Sequence, residues 1–277
     1  MLRSFAKRNR VQLISDSVEW YSPEQFRYGN FSMGMILKNI ENRIAINKTI
    51  KVVAISEYLN NYFANKDYKS IRIPVILDVI NTSCRKTVRD DKLVIVYAGS
   101  PGKKDYFKEI AEGMLMLSPN ELKQIEFRII GATKQQIIVN SGVMEQTIAQ
   151  LSESLRMFGR MPREDVLKNL EQADFTVLLR SPVQRYAKAG FPTKVVESLA
   201  SATPVILNLT SDLGQYVKDM QEGILVNDCT AEAFCTAIKK ALALNAEQKR
   251  EMRNKARECA EKNFDYRNYI QIIKNEI

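Results

Sequence analysis

Leu93-Val94-Ile95-Val96-Tyr97-Ala98 runs directly into Gly99-Ser100-Pro101-Gly102-Lys103-Lys104. Six consecutive apolar, mostly β-prone residues read as a strand covered on both faces, and the glycines after it read as a turn. Phe107, Ile110, Ala111, Met114 and Leu117 then recur at helical spacing, so a helix is expected over Tyr106 to Leu117. Strand, glycine turn and helix in this order open a parallel strand-helix-strand unit. The alternation continues outward from there. Further strand-like runs stand at Glu126 to Ile130, Leu155 to Phe158, Phe175 to Leu179, Pro204 to Leu207 and Ile224 to Val226. Arg163 to Glu171 reads as a helix preceded by Pro162, with Glu164 and Asp165 in the first turn where the helix dipole favours acids. Such an order of elements argues for an α/β protein with a doubly wound parallel sheet. Beyond residue 228 the pattern is helical only, over Ala231 to Leu244, Ala246 to Lys262 and Tyr266 to Asn275.

The first 80 residues are organised differently. A helical patch at Leu2 to Lys7 leads into a strand-like Gln12 to Ile14, and Gln25 to Ile46 is mostly helical in pattern. Strand runs follow at Val52 to Ile55, Ser70 to Ile73 and Val75 to Ile80. Thr82 to Lys92 carries Arg85, Lys86, Arg89, Asp90, Asp91 and Lys92 with almost nothing apolar, and reads as a linker. The expected division is therefore a partial N-terminal domain at 1–81, a linker at 82–92, a complete doubly wound, ligand-binding α/β domain at 93–265 and a final helix at 266–277 packing back on the first part.

At 277 residues, with 45% apolar and 26% charged residues, the chain has the composition of a globular protein long enough for one or two cores. No apolar stretch approaches the roughly 18 to 20 residues of a spanning helix, and the residues from Met1 to Arg8 lack the apolar centre of a signal peptide. Cys84, Cys229, Cys235 and Cys259 match neither a zinc knuckle nor a redox dithiol in their spacing, so a reduced cytoplasmic protein is expected. The chain contains no histidine, which removes the commonest general base and most transition-metal sites. A formal charge of +9 favours an anionic partner: a phosphorylated small molecule, or the anionic face of a membrane. Recognition helices, aromatic RNA-binding motifs and zinc fingers are missing from the sequence, so nucleic acid is not expected.

Ligands of open α/β sheets bind beyond the carboxyl ends of the strands. After the first strand of the second domain come Gly99 to Lys104, where glycines let backbone amides turn toward an anion ahead of a helix N-terminus. A solvated lysine pair is the plainer reading of Lys103 and Lys104 taken alone. After the fourth strand come Arg180, Arg185 and Lys188, then Gly190-Phe191-Pro192-Thr193-Lys194 and a helix. Val195, Val196 and Leu199 form its core stripe, whereas Thr193 and Glu197, four apart, share a face able to point into the crevice. Two cationic loops at helix starts on one sheet point to a diphosphate. The plainer reading of Glu197 is an exposed carboxylate paired with Lys194, and Trp20 reads as packing.

Gly190-Phe191-Pro192-Thr193-Lys194-Val195-Val196-Glu197-Ser198-Leu199-Ala200-Ser201-Ala202-Thr203-Pro204-Val205-Ile206 resembles the signature of glycosyltransferase family four, retaining enzymes of the two-Rossmann-domain GT-B fold. The resemblance extends to Phe158-Gly159-Arg160-Met161-Pro162-Arg163, to Ala173-Asp174-Phe175 and to Ser56-Glu57-Tyr58-Leu59. It implies one complete Rossmann-like C-terminal domain plus an incomplete N-terminal one. It also implies transfer of a sugar from a nucleoside-diphosphate donor to a hydroxyl of a glycan or lipid-linked acceptor in surface polysaccharide synthesis, without metal or other cofactor. Carried over, Glu197 would hold the donor ribose and Gly190, Phe191, Pro192 and Thr193 would face the phosphates or sugar. Lys103 or Lys104 would take the phosphate-binding lysine's place, with Gly99, Ser100, Lys188 and Lys194 beside it. Gly131, Arg160 and Met161 would border the base. Ala189 stands where many members carry a first glutamate, and Ser100 where an arginine is common. Two alternatives are a donor-binding half of a split transferase, completed by itself or a second chain, and a sugar-nucleotide epimerase of the same fold. An epimerase would turn its donor over without an acceptor.

Overall fold

The computed structural model describes residues 2–84, 91–102 and 104–276. Part of the expected linker, 85–90, and the candidate Lys103 lie outside the described residues. The N-terminal region runs α1 (Leu2–Asn9), β1 (Leu13–Ser17), α2 (Met33–Ile40), β2 (Ile50–Ala54), α3 (Glu57–Ala64) and β3 (Ser70–Arg72). Its strands form a three-stranded parallel sheet in the order β1-β2-β3. The expected helical stretch at 25–46 is broken into two short 3₁₀ turns, α2 and a π turn at Glu41–Ala45. The run Val75 to Ile80 is not a strand. Leu77 alone makes a parallel bridge to Asp265, so that this segment crosses under the end of the long C-terminal helix rather than joining a sheet.

The second region begins with β4 (Leu93–Ala98), α4 (Phe107–Leu115), α5 (Pro119–Lys123) and β5 (Ile125–Ile130). It continues through α6 (Lys134–Ser141), α7 (Glu145–Gln150), β6 (Leu155–Gly159), α8 (Arg163–Gln172) and β7 (Phe175–Leu178). After these come α9 (Arg185–Ala189), α10 (Thr193–Ala200), β8 (Val205–Leu207), β9 (Gly223–Leu225), α11 (Ala231–Ala243), α12 (Ala246–Phe264) and α13 (Ile270–Glu276). Six strands form one sheet in the order β6-β5-β4-β7-β8-β9, every neighbouring pair parallel. From β4 the chain winds outward through β5 to β6, then returns to β7 on the other side of β4 and winds the opposite way. The switch point therefore lies between β4 and β7, and in such sheets the ligand crevice opens beyond their carboxyl ends.

The apolar strand runs are buried on both faces because helices cover both. On one face, Ile95, Tyr97, Phe127 and Ile129 meet Phe107, Ile110 and Met114 of α4 and Phe234 and Ile238 of α11. On the other, Val94, Val96 and Ile130 meet Leu170 of α8. A third cluster joins Val195, Val196 and Leu199 of α10 to Ala256, Ala260 and Phe264 of α12 and to Val79 of the crossing segment. The C-terminal end returns to the first sheet: Leu77 donates to Phe264 O at 2.8 Å, Arg267 pairs with Asp78 at 2.9 Å, and Glu276 with Lys51 at 3.1 Å. Among the described residues no helix is long and apolar enough to cross a membrane.

Candidate functional site

Two loops meet at the switch point. The first leaves β4 at Gly99, whose φ of +141° suits a residue without a Cβ. Gly131, at the end of β5 with φ +103°, presses on it: a Cβ there would lie 2.9 Å from the Gly99 carbonyl carbon. The two strand ends can close on each other because Gly131 lacks a Cβ, whereas a Cβ on Gly99 would run into the Lys194 side chain. The second loop leaves β7 at Arg180. An isolated antiparallel bridge joins Asp105 to Arg180, and Tyr106 N–H donates to Leu179 O at 3.0 Å, pinning the loops together.

The bridge places a buried carboxylate at the centre of the cleft floor. Asp105 is 1% exposed in its side chain, accepts from Tyr97 OH at 2.6 Å and Arg180 Nε at 2.9 Å, and has Lys194 Nζ at 3.7 Å. Burial works to raise its pKa, but Lys194 and Arg180 outweigh that and hold it below the ordinary carboxylate range. Lys194, in the first turn of α10, lies over the Tyr97 ring at 4.4 Å, with its Nζ 3.3 Å from the hydroxyl. Burial pushes its ammonium down to about 8, against the pull of Asp105. Burial also pushes the Tyr97 phenol up, so it stays a neutral donor to Asp105.

The N-terminal region fixes the second loop from above. Trp20 is buried, donates from Nε1 to Asn39 Oδ1 at 2.8 Å, packs edge-on to Tyr62, and carries the Arg185 guanidinium 4.8 Å above its ring. It is packing, as its sequence context suggests. Arg185 Nε donates to Tyr21 O at 3.0 Å, Tyr186 N–H to Ser22 Oγ at 3.0 Å, and Ser56 Oγ to Ala189 O at 2.7 Å. These bonds set the backbone that carries Gly190 to Thr193.

Between the loops lie two cavities of about 460 and 250 Å³ that share Gln25 and Lys104 as walls. Ser100 lines the larger one; Gly190, Phe191, Pro192, Thr193 and Lys194 line the smaller, facing Val18 and Glu19 of the N-terminal region. Glu197 is one turn away in a narrow crevice that it shares with Lys194, Ala98 and Thr176. Its carboxylate pairs with Arg163 at 2.9 Å rather than with Lys194. Gly99 and Gly131 sit at the rim. Met161 packs against the core under α8, while Arg160 and Lys188 are exposed and line neither cavity. Of the sequence candidates, the structure thus brings Ser100, Lys104, Lys194 and the 190–193 loop together. Arg180, named in the sequence as part of the second cationic loop, lines the smaller cavity with Glu19, and Asp105 and Tyr97 lie buried beneath; sequence reading passed over Glu19, Asp105 and Tyr97. Asp105 had one signal, a lone acid directly after two lysines at a strand-to-helix turn.

A nucleoside diphosphate held against Lys194 would raise the pKa of that ammonium. Affinity should then be level up to about pH 8, where the free protein's Lys194 still carries its proton, and should fall above it by at most about tenfold per unit. Titration calorimetry between pH 7 and 10 checks this, and affinity constant across that window would show that Lys194 stays clear of the anion.

Two parallel Rossmann-like sheets on either side of such a cleft make up the GT-B fold. Residues 80–259, more than half of the chain, match the family described as Glycosyl transferases group 1, and the chain belongs to that family. No curated protein is similar enough in sequence to count as a relative. Among solved structures it is similar to HepE of Anabaena in complex with UDP and glucose, at 15% identity and a TM-score of 0.73 over 98% of this chain and 72% of HepE. Sucrose-phosphate synthase from Thermosynechococcus elongatus is similar at 17% identity and a TM-score of 0.74, over 98% of this chain and 69% of that one. TarM of S. aureus, in complex with Fondaparinux, alpha-GlcNAc-glycerol and UDP, matches at 18% identity and a TM-score of 0.69 over 99% of this chain and 53% of its own. At these identities the likeness is one of fold.

Proposed function

We propose that the chain holds the nucleotide-sugar donor of a retaining, metal-independent glycosyltransferase of family four, which passes a sugar to a hydroxyl of a glycan or lipid-linked acceptor in surface polysaccharide synthesis. One observation carries the reading: the cleft at the switch point between β4 and β7 gathers Lys104, Arg180 and Lys194 around two glycine loops, with Glu197 one turn away. The donor diphosphate would lie against the cations, which stabilise the charge that grows on it as the glycosidic bond breaks. Glu197 would take the ribose hydroxyls, giving up Arg163. In this reading residues 93–265 form the donor domain, 1–81 the acceptor side, and the basic surface rests on an anionic membrane face in the cytoplasm. That HepE and TarM hold UDP makes UDP the first nucleotide to test.

Cationic side chains can do this electrostatic work alone. Binding of the nucleoside diphosphate, and transfer to acceptor in a membrane extract, should therefore be unchanged by a chelator; loss with chelator and return with magnesium would refute metal independence. Donor incubated without acceptor should not be isomerised.

The split-transferase reading has its own support. β1 pairs on one side only, and Val11, Ile14 and Val18 around it are exposed, as are Phe31, Met33 and Leu37 on and before α2. Open parallel edges and apolar faces of this kind are usually covered. The protein should associate with itself or with a second chain in light scattering and bind donor without transferring it. A clean monomer with robust transfer would contradict this.

A further inference from the structure

We infer that Arg180 is a diphosphate-binding residue of the cleft, and that Asp105 is the positioning residue on which Arg180 and Lys194 are both anchored; the inference rests on the donor-site reading above. Arg180 sits at the carboxyl end of β7, directly across the switch point from the Gly99 loop, and lines the smaller cavity together with Lys104 and Lys194. Only its Nε is spent, on Asp105 at 2.9 Å. Its two terminal amines make no hydrogen bond to any described residue, although the side chain is 14% exposed. Asn208 holds the Arg180 backbone on both sides, accepting from its N–H at 2.9 Å and donating to its carbonyl at 2.7 Å, so the guanidinium projects from a fixed point.

Charge points the same way. Three cations, Lys104, Arg180 and Lys194, face two carboxylates, the buried Asp105 and Glu19, leaving one positive charge uncompensated among the described residues. A mostly buried guanidinium whose two terminal amines are unspent suits a phosphate bidentately, which a lysine cannot do. Asp105 uses one oxygen for Arg180 and the other for Tyr97 and Lys194, and so sets the spacing between two cations, one just past the end of β7 and the other in the first turn of α10.

The test uses the full chain and calorimetry, with UDP, GDP, ADP, CDP and TDP and their matching nucleosides, carrying forward the tightest pair. Arg180→Met should weaken the diphosphate about ten- to hundredfold while changing the nucleoside less than about twofold. Arg180→Lys keeps the charge beside Asp105 and covers the case of misfolding in the first variant; it should lose about three- to tenfold. Asp105→Asn should move the alkaline fall in diphosphate affinity to lower pH, because Lys194 loses its buried counter-charge. A purely structural role would lower affinity equally at every pH. Diphosphate affinity within twofold of the unmodified protein in either folded Arg180 variant, or an equal loss for nucleoside and diphosphate, would overturn the assignment of Arg180. An unmoved alkaline limb would overturn that of Asp105. Failure of the unmodified protein to bind any of the diphosphates would instead bring down the donor-site reading itself.

Discussion

Glu197→Ala should weaken binding of the nucleoside and of its diphosphate alike, by about ten- to hundredfold, which is the loss of charge-assisted hydrogen bonds of roughly 1.5 to 3 kcal/mol. The carboxylate is held on α10, whose Val195, Val196 and Leu199 are buried, so its position follows from helix packing and not from a mobile loop. Its partner, Arg163, is 69% exposed and free to swing into solvent when a ligand arrives. An ion pair with one exposed partner contributes little to stability, so the variant should fold as well as the unmodified chain. Affinity unchanged in Glu197→Ala would mean that the ribose lies elsewhere.

Gly131→Val should be the most damaging single change near the cleft that removes no charged group. The backbone at φ +103° suits almost only glycine, and a Cβ would lie 2.9 Å from both the carbonyl carbon and oxygen of Gly99. Gly131 N–H also donates to Gly159 O at 2.6 Å, so the residue cannot shift without opening the rim on its other side. Backbone strain and overpacking together should cost about 3 kcal/mol or more, lowering the melting temperature by roughly 6 to 12 °C. A calorimetric melt within about 2 °C of the unmodified protein would show that the two strand ends are not in contact.

The sheet that positions the cleft was legible because its strands are short apolar runs buried on both faces, a pattern that period and composition both report. Leu93–Ala98 has the predicted bounds, and the other five strands differ from expectation by a residue or two. Helices α5 and α6 were not foreseen, since neither has a long apolar stripe. Their starts were nevertheless written in the sequence as capping boxes, Ser118 with Glu121 and Thr133 with Gln136. Val75 to Ile80 misled because an apolar run after Pro74 looks like a strand, whereas its burial comes from α12 and Phe264. Loop candidates near the strand ends could be named from order alone. Asp105 and Arg180 could not be paired that way, because what joins them is sheet order: β4 and β7 are neighbours although 76 residues lie between Ala98 and Phe175. The same holds for the Arg185–Trp20 contact, which ties the second loop to a region far earlier in the chain.

Titration of the protein with UDP, GDP, ADP, CDP and TDP, each beside its nucleoside and in the presence of a chelator, tests the donor cleft most directly. One diphosphate should bind with a single site per chain, about tenfold or more tighter than its nucleoside, as expected where Lys104, Arg180 and Lys194 meet the phosphates. Absence of binding by every diphosphate, or nucleosides binding as tightly as their diphosphates, would contradict it.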